Sequence, residues 1–297
     1  MEFGDYRVEI IPDTEFRLDG GAMFGVVPRV LWERVCPPDE LNRVKLTCNC
    51  VFIDTGRQKI LIETGMGEKW AAKETAMYGI QRRRPFSESL RAIAGCGPEE
   101  IDLVINTHLH FDHAGGNTVR SDRNSTSSDH RKAHVYSNFE DEPSVIPQFP
   151  NARYLVSESE FLHAGSPHER DQASYLAENW EPLIQSKQLD LMRNTYEPVP
   201  GLQIEQVRGH SETMQTVKLT RGGETLYGFF DMVPTRHHVS FPWIMSYDLF
   251  PTETLEFKKS ILPQALEENW ICHFYHDVEM PLCRLIEADG KIRPVGL

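Results

Sequence analysis

The segment at residues 107–116, THLHFDHAGG, constrains this chain more than any other stretch. It directly follows a short, mostly apolar run that predicts a buried strand. Residues two apart share one face of an extended segment, so His108 and His110 can point at one metal ion. Asp112 and His113 come after a turn and can face a second ion. This mixture of nitrogen and oxygen ligands predicts a metal centre suited to zinc, with iron, manganese and cobalt as alternatives.

Composition limits the partners of the chain. Its 297 residues include 31 basic and 44 acidic side chains, for a formal net charge of -13. This balance argues against nucleic acid and anionic membrane as main partners, and the apolar runs fall far below the ~18 residues of a membrane span. Six cysteines are too few for a disulfide scaffold, and no secretory signal is visible. We expect a cytoplasmic protein that acts on a small molecule.

Hydrophobic patterning and turn residues predict a series of strands and helices. Residues 44–65 predict a hairpin, and Ser87 is a candidate cap for a helix that ends at Gly95. Further expected elements are a strand at 101–105, a helix over 172–187, strands at 202–207, 214–219 and 225–230, a helix over 252–269 capped by Thr252, and a final strand at 270–275. The polar, proline-containing composition of residues 118–151 predicts a surface insertion rather than a domain boundary.

The ligand segment also carries a family resemblance. His108-x-His110-x-Asp112-His113 resembles the signature of the metallo-β-lactamase-fold hydrolases. Later matches follow in order along the chain. Gly209-His210 looks like the family's later histidine ligand, and Asp231 looks like its bridging aspartate. His276 looks like its C-terminal histidine, and Glu63-Thr64-Gly65 resembles a loop usually written Asp-Thr-Gly. The resemblance therefore covers most of the chain.

The resemblance implies a fold and a set of metal ligands. The fold is an α/β class, an αββα four-layer sandwich of two mixed β-sheets flanked by helices, in a single domain over residues 1–297. The cofactors are two divalent metal ions, with Zn²⁺ as the first choice. One ion would be held by His108, His110 and His210. The other would be held by Asp112, His113 and His276, with Asp231 bridging the two ions.

Three departures from the family pattern concern loops around the site. Glu63 stands where aspartate is usual, and its longer side chain is expected to support the site from behind the ligands. Residues 211–213, Ser-Glu-Thr, replace the usual Thr-Pro-Gly after His210, which changes the loop and keeps the ligand. The polar insertion explains the long separation of His113 from His210. Because variable loops form the substrate pockets of this fold, these differences bear first on specificity.

The charge of two divalent ions predicts the chemistry. A water shared by the ions would have its pKa lowered toward neutrality, so a bridging hydroxide would be ready to attack an ester or lactone carbonyl. Asp112 is predicted to orient this nucleophile as well as bind metal. Tyr196 is a candidate for contacting the bound carbonyl from a loop. The sequence has neither the Gly-x-Ser-x-Gly pattern of a serine hydrolase nor a phosphate-binding loop.

Several functions fit this pattern. Residues 231–238 and 242–248 resemble the family subset that includes lactonases and methyl-parathion-hydrolase-like enzymes, so a lactonase or related ester hydrolase is the leading hypothesis, with N-acyl-homoserine lactones among its candidate substrates. Phosphotriester or β-lactam hydrolysis is an alternative, as is a sulfur dioxygenase that uses one iron on the same scaffold. Seven candidate ligands argue against a binding protein that merely keeps the fold. Three interpretations are open for the apolar run at residues 20–27: core packing, a strand at the cleft mouth, or contact within a homodimer.

Overall fold

Two seven-stranded sheets form the centre of the computed structural model, which describes residues 1–121 and 144–297. Each sheet mixes parallel and antiparallel pairs. Buried side chains from both sheets share one apolar cluster, including Phe52 and Ile60 from the first and Leu202 and Leu219 from the second. Because the sheets bury these side chains against each other, helices are left to cover the outer faces. The expected αββα arrangement is confirmed.

The first sheet is built from the part of the chain before residue 193. The strands are β1 (Glu2–Phe3), β2 (Tyr6–Asp19), β3 (Arg43–Asp54), β4 (Lys59–Ile62), β5 (Leu103–Ile105), β6 (Thr118–Arg120), β7 (Val145–Pro147), β8 (Arg153–Ser157) and β9 (Leu189–Met192). The sheet order is β1-β2-β3-β4-β5-β8-β9, while β6 and β7 form a separate ribbon. Pairing is antiparallel from β1 to β4 and parallel from β4 to β9.

The second sheet follows chain order throughout. Its strands are β10 (Thr195–Val199), β11 (Leu202–Gln206), β12 (Gln215–Arg221), β13 (Glu224–Gly228), β14 (Ile271–His273), β15 (Leu282–Ala288) and β16 (Lys291–Gly296). Neighbouring strands are antiparallel except for β13 and β14, which are parallel. The carboxyl ends of β13 and β14 therefore meet at one edge of the sheet.

Short helices connect the strands and pack on the sheets. They are α1 (Gly20–Phe24), α2 (Arg29–Trp32), α3 (Ala72–Met77), α4 (Phe86–Ala94), α5 (Phe111–Ala114), α6 (Glu158–Gly165), α7 (Glu181–Gln185) and α8 (Pro251–Glu267). Helix α4 packs on β2, α6 on β8 and β9, and α8 on β15 and β16. In the described part of the chain, none of them has both the length and the apolar character needed to cross a membrane.

Most of the elements predicted from periodicity are confirmed. The hairpin at residues 44–65 is formed by β3 and β4, with Val51 opposite Ile62. The three strands predicted between residues 202 and 230 are β11, β12 and β13. Helix α4 ends at Gly95, which has a φ of 76° in the left-handed region that glycine tolerates. These segments carry strong local signals, so their structure follows from sequence pattern.

Helix starts are less well predicted. Helices α4 and α8 begin at Phe86 and Pro251, so the proposed caps Ser87 and Thr252 lie inside their first turns. The continuous helix expected over 172–187 is wrong, because two single 3₁₀ turns precede the short helix α7. Pro182 lies in the first turn of α7, where its missing N–H costs no hydrogen bond.

One further strand prediction is wrong, and the structure favours one of the alternatives for residues 20–27. The strand after α8 is not the last, because β15 pairs with it and β16 pairs with β15. The run at residues 20–27 forms helix α1 rather than a strand, and its Met23 and Phe24 belong to the main core. The core-packing interpretation of this run is therefore the one that the structure supports. Homodimer formation stays a prediction.

The polar insertion departs from the fold between β6 and β7. These strands pair antiparallel, with Thr118 opposite Pro147 and Arg120 opposite Val145. Both ends of the insertion are therefore held at one place. Of the surface insertion predicted over 118–151, residues 122–143 lie outside the described residues, and the interpretation of the chain as one domain with an inserted loop stays a prediction.

Two glycine-containing loops pass close to each other beside the predicted metal centre. A Cβ atom added to Gly115 would lie 2.2 Å from the carbonyl oxygen of Met66, and one added to Gly116 would lie 2.2 Å from that of Thr64. Gly67 has a φ of 68°, and its added Cβ would lie 2.1 Å from the carbonyl oxygen of Gly115. The lack of side chains at these glycines permits a tight approach, which holds the loop after β4 against the ligand segment.

Replacing Gly67 by alanine is expected to lower the free energy of unfolding by roughly 2–4 kcal/mol, because the new methyl group would collide with backbone as well as suffer a positive φ. Gly56→Ala is the matched control, since Gly56 has a φ of 75° but nothing within 4 Å of an added Cβ. Its expected cost is about 1 kcal/mol. Urea unfolding of the two variants measures the difference, and equal losses would show that the loop contact is not tight.

Candidate metal centre

The ligand segment follows β5 as predicted. His108 and His110 lie in the extended stretch before α5, and Asp112 and His113 lie in the single turn of α5 itself. The turn closes with hydrogen bonds from the N–H groups of His113 and Ala114 to the carbonyl of His110. The change from extended to helical backbone is what separates the two pairs of side chains.

The remaining ligand candidates come from the second sheet. His210 lies in the loop between β11 and β12, Asp231 in a turn just after β13, and His276 shortly after β14. Since β13 and β14 are parallel neighbours, Asp231 and His276 emerge at the same edge. The main-chain N–H groups of Thr47 and Asn49 in β3 donate to the carbonyls of His276 and Tyr275, which joins this edge to the first sheet.

All seven candidate ligands are buried and come together. Among the described residues, the seven candidates form two groups whose ligand atoms lie within 4.8 Å of one another, and a third such group, Glu63, His108 and His113, overlaps both. The first group is His108, His110, His210 and Asp231. The second group is Asp112, His113 and His276. The grouping agrees with the assignment implied by the family resemblance, which the structure supports but which stays a prediction until metal is measured.

The carboxylate of Asp231 lies between the two groups. Its Oδ2 is 3.3 Å from Nε2 of His210, in the first group. Its Oδ1 is 3.2 Å from Nε2 of His113 and 3.1 Å from Nε2 of His276, in the second. One oxygen therefore faces each group, which is the arrangement that a bridging carboxylate needs.

Several buried polar atoms in the cluster have no hydrogen-bond partner among residues 1–121 and 144–297. They include Nε2 of His108, both ring nitrogens of His113, and Oδ1 of Asp231. Nδ1 of His110 and Nε2 of His210 also point at each other across 3.2 Å. Lone pairs gathered in this way are costly in a buried site unless a cation lies among them. The donor set therefore fits divalent metal ions.

Hydrogen bonds at the outer ring nitrogens orient two of the histidines. Nδ1 of His210 donates to Oδ1 of Asp248 at 3.0 Å, and Nδ1 of His276 donates to the carbonyl of Thr47 at 2.9 Å. Because both acceptors are oxygens, each proton belongs on Nδ1 and the lone pair on Nε2 faces the cluster. Asp248 is held in turn by the hydroxyl of Thr254 at 2.7 Å.

Glu63 supports the site from behind, as expected from its place in the sequence. Its Oε1 accepts the N–H of Thr107 at 2.9 Å and lies 3.5 Å from Nδ1 of His113. Its Oε2 accepts from the side-chain amide of Asn106 at 3.3 Å. Glu63 has a φ of 63°, a strained backbone conformation for a non-glycine residue. This backbone conformation places the carboxylate under the ligand segment.

Burial and charge act in opposite directions on the ligands. Burial, assisted by neighbouring imidazoles, holds the pKa of His108 and of His110 well below the usual histidine value. Burial acts the same way on His113, but Asp231 and Asp112 outweigh it and raise the pKa of His113 well above that value. Against burial, the surrounding histidines hold the pKa of Asp231 well below its usual range. Asp231 thus stays ionised and favours positive charge beside it.

Sequence reasoning missed residues that act through hydrogen bonds or packing. Asp248 has no ligand-like spacing to His210, from which it is 38 positions away, so only the fold shows their contact. Tyr175 packs edge-on against His110, with ring centroids 4.7 Å apart. Tyr275 stacks on His113 at 4.3 Å, and its hydroxyl donates to the carbonyl of Asp112 at 2.8 Å.

Tyr196, the predicted carbonyl contact, lies on β10. Among the described residues, its hydroxyl has no hydrogen-bond partner, and no hydrogen bond or ring contact joins it to the seven ligands. Burial, with a contribution from Glu63, raises the pKa of Tyr196 and keeps it a neutral phenol. Its catalytic role stays a prediction that the observed contacts do not strengthen.

Comparison with known proteins identifies the family. The model of the metallo-beta-lactamase superfamily matches residues 43–221, which is more than half of the chain. The chain therefore belongs to the metallo-beta-lactamase superfamily, and the resemblance drawn from its motifs is confirmed.

Individual relatives agree with this family. An N-acyl homoserine lactonase of Bacillus cereus is 26% identical over 250 residues, which cover 80% of this chain and 84% of the relative. The crystal structure of a probable metal-dependent hydrolase from Staphylococcus aureus has a TM-score of 0.85 at 26% identity and covers 100% of this chain and 99% of its own. AidC, a dizinc quorum-quenching lactonase, shares the fold with a TM-score of 0.73 at 16% identity, over 100% and 96% of the two chains. The predicted enzyme class, a metal-dependent hydrolase, is confirmed.

Changing Asp248 to asparagine is expected to weaken metal binding by about 10- to 100-fold, because His210 loses the carboxylate that fixes its ring and tautomer. Titration of the metal-free protein with Zn²⁺ measures the loss. The control is Asp171→Asn, which alters a similar pair, since Oδ2 of Asp171 lies 2.8 Å from Nε2 of His163 outside the ligand groups. Equal losses in both variants would contradict a specific role for Asp248.

Proposed function

We propose that this protein is a dinuclear metal-dependent hydrolase that opens lactones or cleaves related esters, with N-acyl-homoserine lactones as the first substrates to examine. The observation that carries the proposal is the position of Asp231. Its two oxygens face two separate groups of buried nitrogen and oxygen ligands. A site for one ion would need only one such group.

The residues that would hold the ions follow from these groups. His108, His110 and His210 would hold the first ion, Asp112, His113 and His276 the second, and Asp231 both. Two bound divalent ions would supply Lewis acidity and lower the pKa of water toward neutrality. Two thiols near the ligand segment, Cys48 and Cys50, are buried, and burial raises the pKa of each well above its usual value, so neither is prepared to act as a nucleophile.

Asp112 and Asp231 have different tasks in this proposal. Oδ2 of Asp112 lies 3.5 Å from Nε2 of His276, at one side of the cluster and on the turn of α5. A carboxylate there can accept a hydrogen bond from the attacking water and pass its proton to the leaving alcohol. Asp231 is in contact with three histidines, so it fixes the distance between the two groups.

Aromatic rings beside the ligand segment favour a partly apolar substrate. Phe111 lies between the ligands His110 and Asp112, and its ring contacts Trp70 and Tyr78 at centroid distances of 5.4 and 5.1 Å. An acyl chain can pack on such rings. With a formal net charge of -13, the chain also favours neutral substrates over polyanions. The similarity to the lactonase of Bacillus cereus supports the same substrate class.

The dinuclear proposal predicts about two zinc ions per chain, because each ligand group provides a nearly complete site. The His276→Ala variant should retain about one ion, since it removes a ligand from the second group alone. His237→Ala is the matched control, as His237 belongs to neither group. Elemental analysis after dialysis gives the ratio. A single iron in the wild-type protein, together with oxygen consumption, would instead support the sulfur dioxygenase alternative.

A substrate panel tests the reaction. We expect the zinc-loaded protein to hydrolyse N-acyl-homoserine lactones in preference to phosphotriesters, phosphodiesters and β-lactams. The reason is that the rings of Phe111, Trp70 and Tyr78 suit an acyl chain. His110→Ala should lower kcat/KM by more than the roughly 10- to 100-fold typical of residues that only support a ligand. Turnover of phosphodiesters alone would reject the lactonase proposal. Unchanged lactonase activity in His110→Ala would show that the active site is elsewhere.

A further inference from the structure

Glu160 is a fully buried carboxylate that the proposed reaction does not use. It lies in the first turn of α6, with 0% of its surface exposed. Its Oε1 accepts the main-chain N–H of Leu109 at 2.7 Å. Its Oε2 accepts a short hydrogen bond from the hydroxyl of Thr213. Both oxygens are therefore engaged by residues that are far away in sequence.

The two partners of Glu160 belong to the loops that carry the first ligand group. Leu109 lies between His108 and His110, and Thr213 lies three residues after His210. The Thr213 loop is closed on itself by the hydroxyl of Ser211, which accepts the N–H of Met214 at 2.9 Å. Through one side chain, Glu160 thus joins the two loops that supply all three histidines of the first group.

The position of Glu160 is not explained by helix capping. Ser157 and Glu160 have the spacing of a capping box, and the Ser157 hydroxyl accepts the N–H of Glu160 at 3.1 Å. In that motif the glutamate side chain would return to the N–H of the cap residue. Here it is directed away from its helix instead. Among the described residues no arginine or lysine forms an ion pair with Glu160, so its burial is costly and is offset mainly by these two hydrogen bonds.

The second ligand group is held by different contacts. The carbonyl of Thr47 orients His276, Glu63 lies beside His113, and the Tyr275 hydroxyl donates to the carbonyl of Asp112. No hydrogen bond of Glu160 reaches these residues. A substitution of Glu160 should therefore affect metal binding by the two ligand groups unequally.

We propose that Glu160 is a positioning residue that sets the affinity of the first metal ion, the one assigned to His108, His110 and His210, and leaves the second ion largely unaffected. This inference rests on the proposed dinuclear site. The carboxylate joins the two loops beside the ligands, together with a main-chain hydrogen bond from the N–H of Gln215 to the carbonyl of Thr107 at 3.0 Å. Losing it lets His210 move relative to His108 and His110, which raises the cost of assembling their three nitrogens around one ion.

The test is a Zn²⁺ titration of the metal-free full-length protein against a chromogenic chelator, which yields two stepwise Kd values. In Glu160→Ala we expect the first-group Kd to rise about 10- to 100-fold. Glu160→Gln should restore most of the affinity. Its amide oxygen can still accept from Leu109, and its NH₂ group can donate to the Thr213 hydroxyl, which is both donor and acceptor. Thr213→Val removes one of the two bonds and should give an intermediate loss.

Single-site backgrounds show which ion is affected. Glu160→Ala combined with His276→Ala should weaken the one remaining ion, which is held by the first group. Combined with His210→Ala it should cause little further loss, because the second group holds the remaining ion. Equal effects in both backgrounds would overturn the proposal, as would wild-type Kd values in Glu160→Ala.

Ser157→Ala separates positioning from loss of stability. It removes the cap of α6 but leaves both hydrogen bonds of Glu160, so we expect a lower unfolding temperature with wild-type Kd values. If Ser157→Ala weakens the first ion as much as Glu160→Ala does, the role of Glu160 is only structural and the proposal is rejected. If the wild-type protein itself binds no more than one ion, the proposed dinuclear function is rejected. That result does not by itself reject the role assigned to Glu160.

Discussion

The close approach of ionised and lone-pair atoms around Asp231 is the constraint on which the rest of this structure depends. Seven buried side chains turn their nitrogens and oxygens toward one another, and several of these atoms have no hydrogen-bond partner in the described part of the chain. Such a cluster is unfavourable by itself, because each group has lost its water. It persists when cations lie among the ligands and when surrounding contacts prevent the side chains from turning away.

Those contacts come from both sheets. The N–H groups of Thr47 and Asn49 in β3 bond to the segment that carries His276, and the loop after β4 lies against the ligand segment through glycines. Three carboxylates complete the support, each on a different part of the chain. Glu63 lies under the ligand segment, Glu160 joins two ligand loops, and Asp248 orients His210. The sandwich thus serves to bring loops from two sheets to one edge and hold them there.

Local pattern predicts part of this structure well. The hairpin of β3 and β4, the strands β11 to β13 and the strand before the ligand segment all follow from apolar periodicity between turn residues. Prediction from sequence fails where one residue type is compatible with two different positions in a helix. Pro182 lies in the first turn of a short helix inside the span predicted as one long helix, and Ser87 lies within a helix that it was expected to cap. Such choices depend on neighbouring packing, which a single sequence does not contain.

The sequence by itself determined the kind of chemistry at the site. Three histidines and an aspartate within residues 108–113 specify metal ligands through their donor atoms, and that property does not depend on the fold. The tertiary structure decided which ligands share a group, that Asp231 faces both groups, and that Glu160 and Asp248 support them. The reason is physical. A ligand's identity is local, whereas its partners lie as far as 229 positions away, as for His276 and the carbonyl of Thr47, and meet only when the sheets pack.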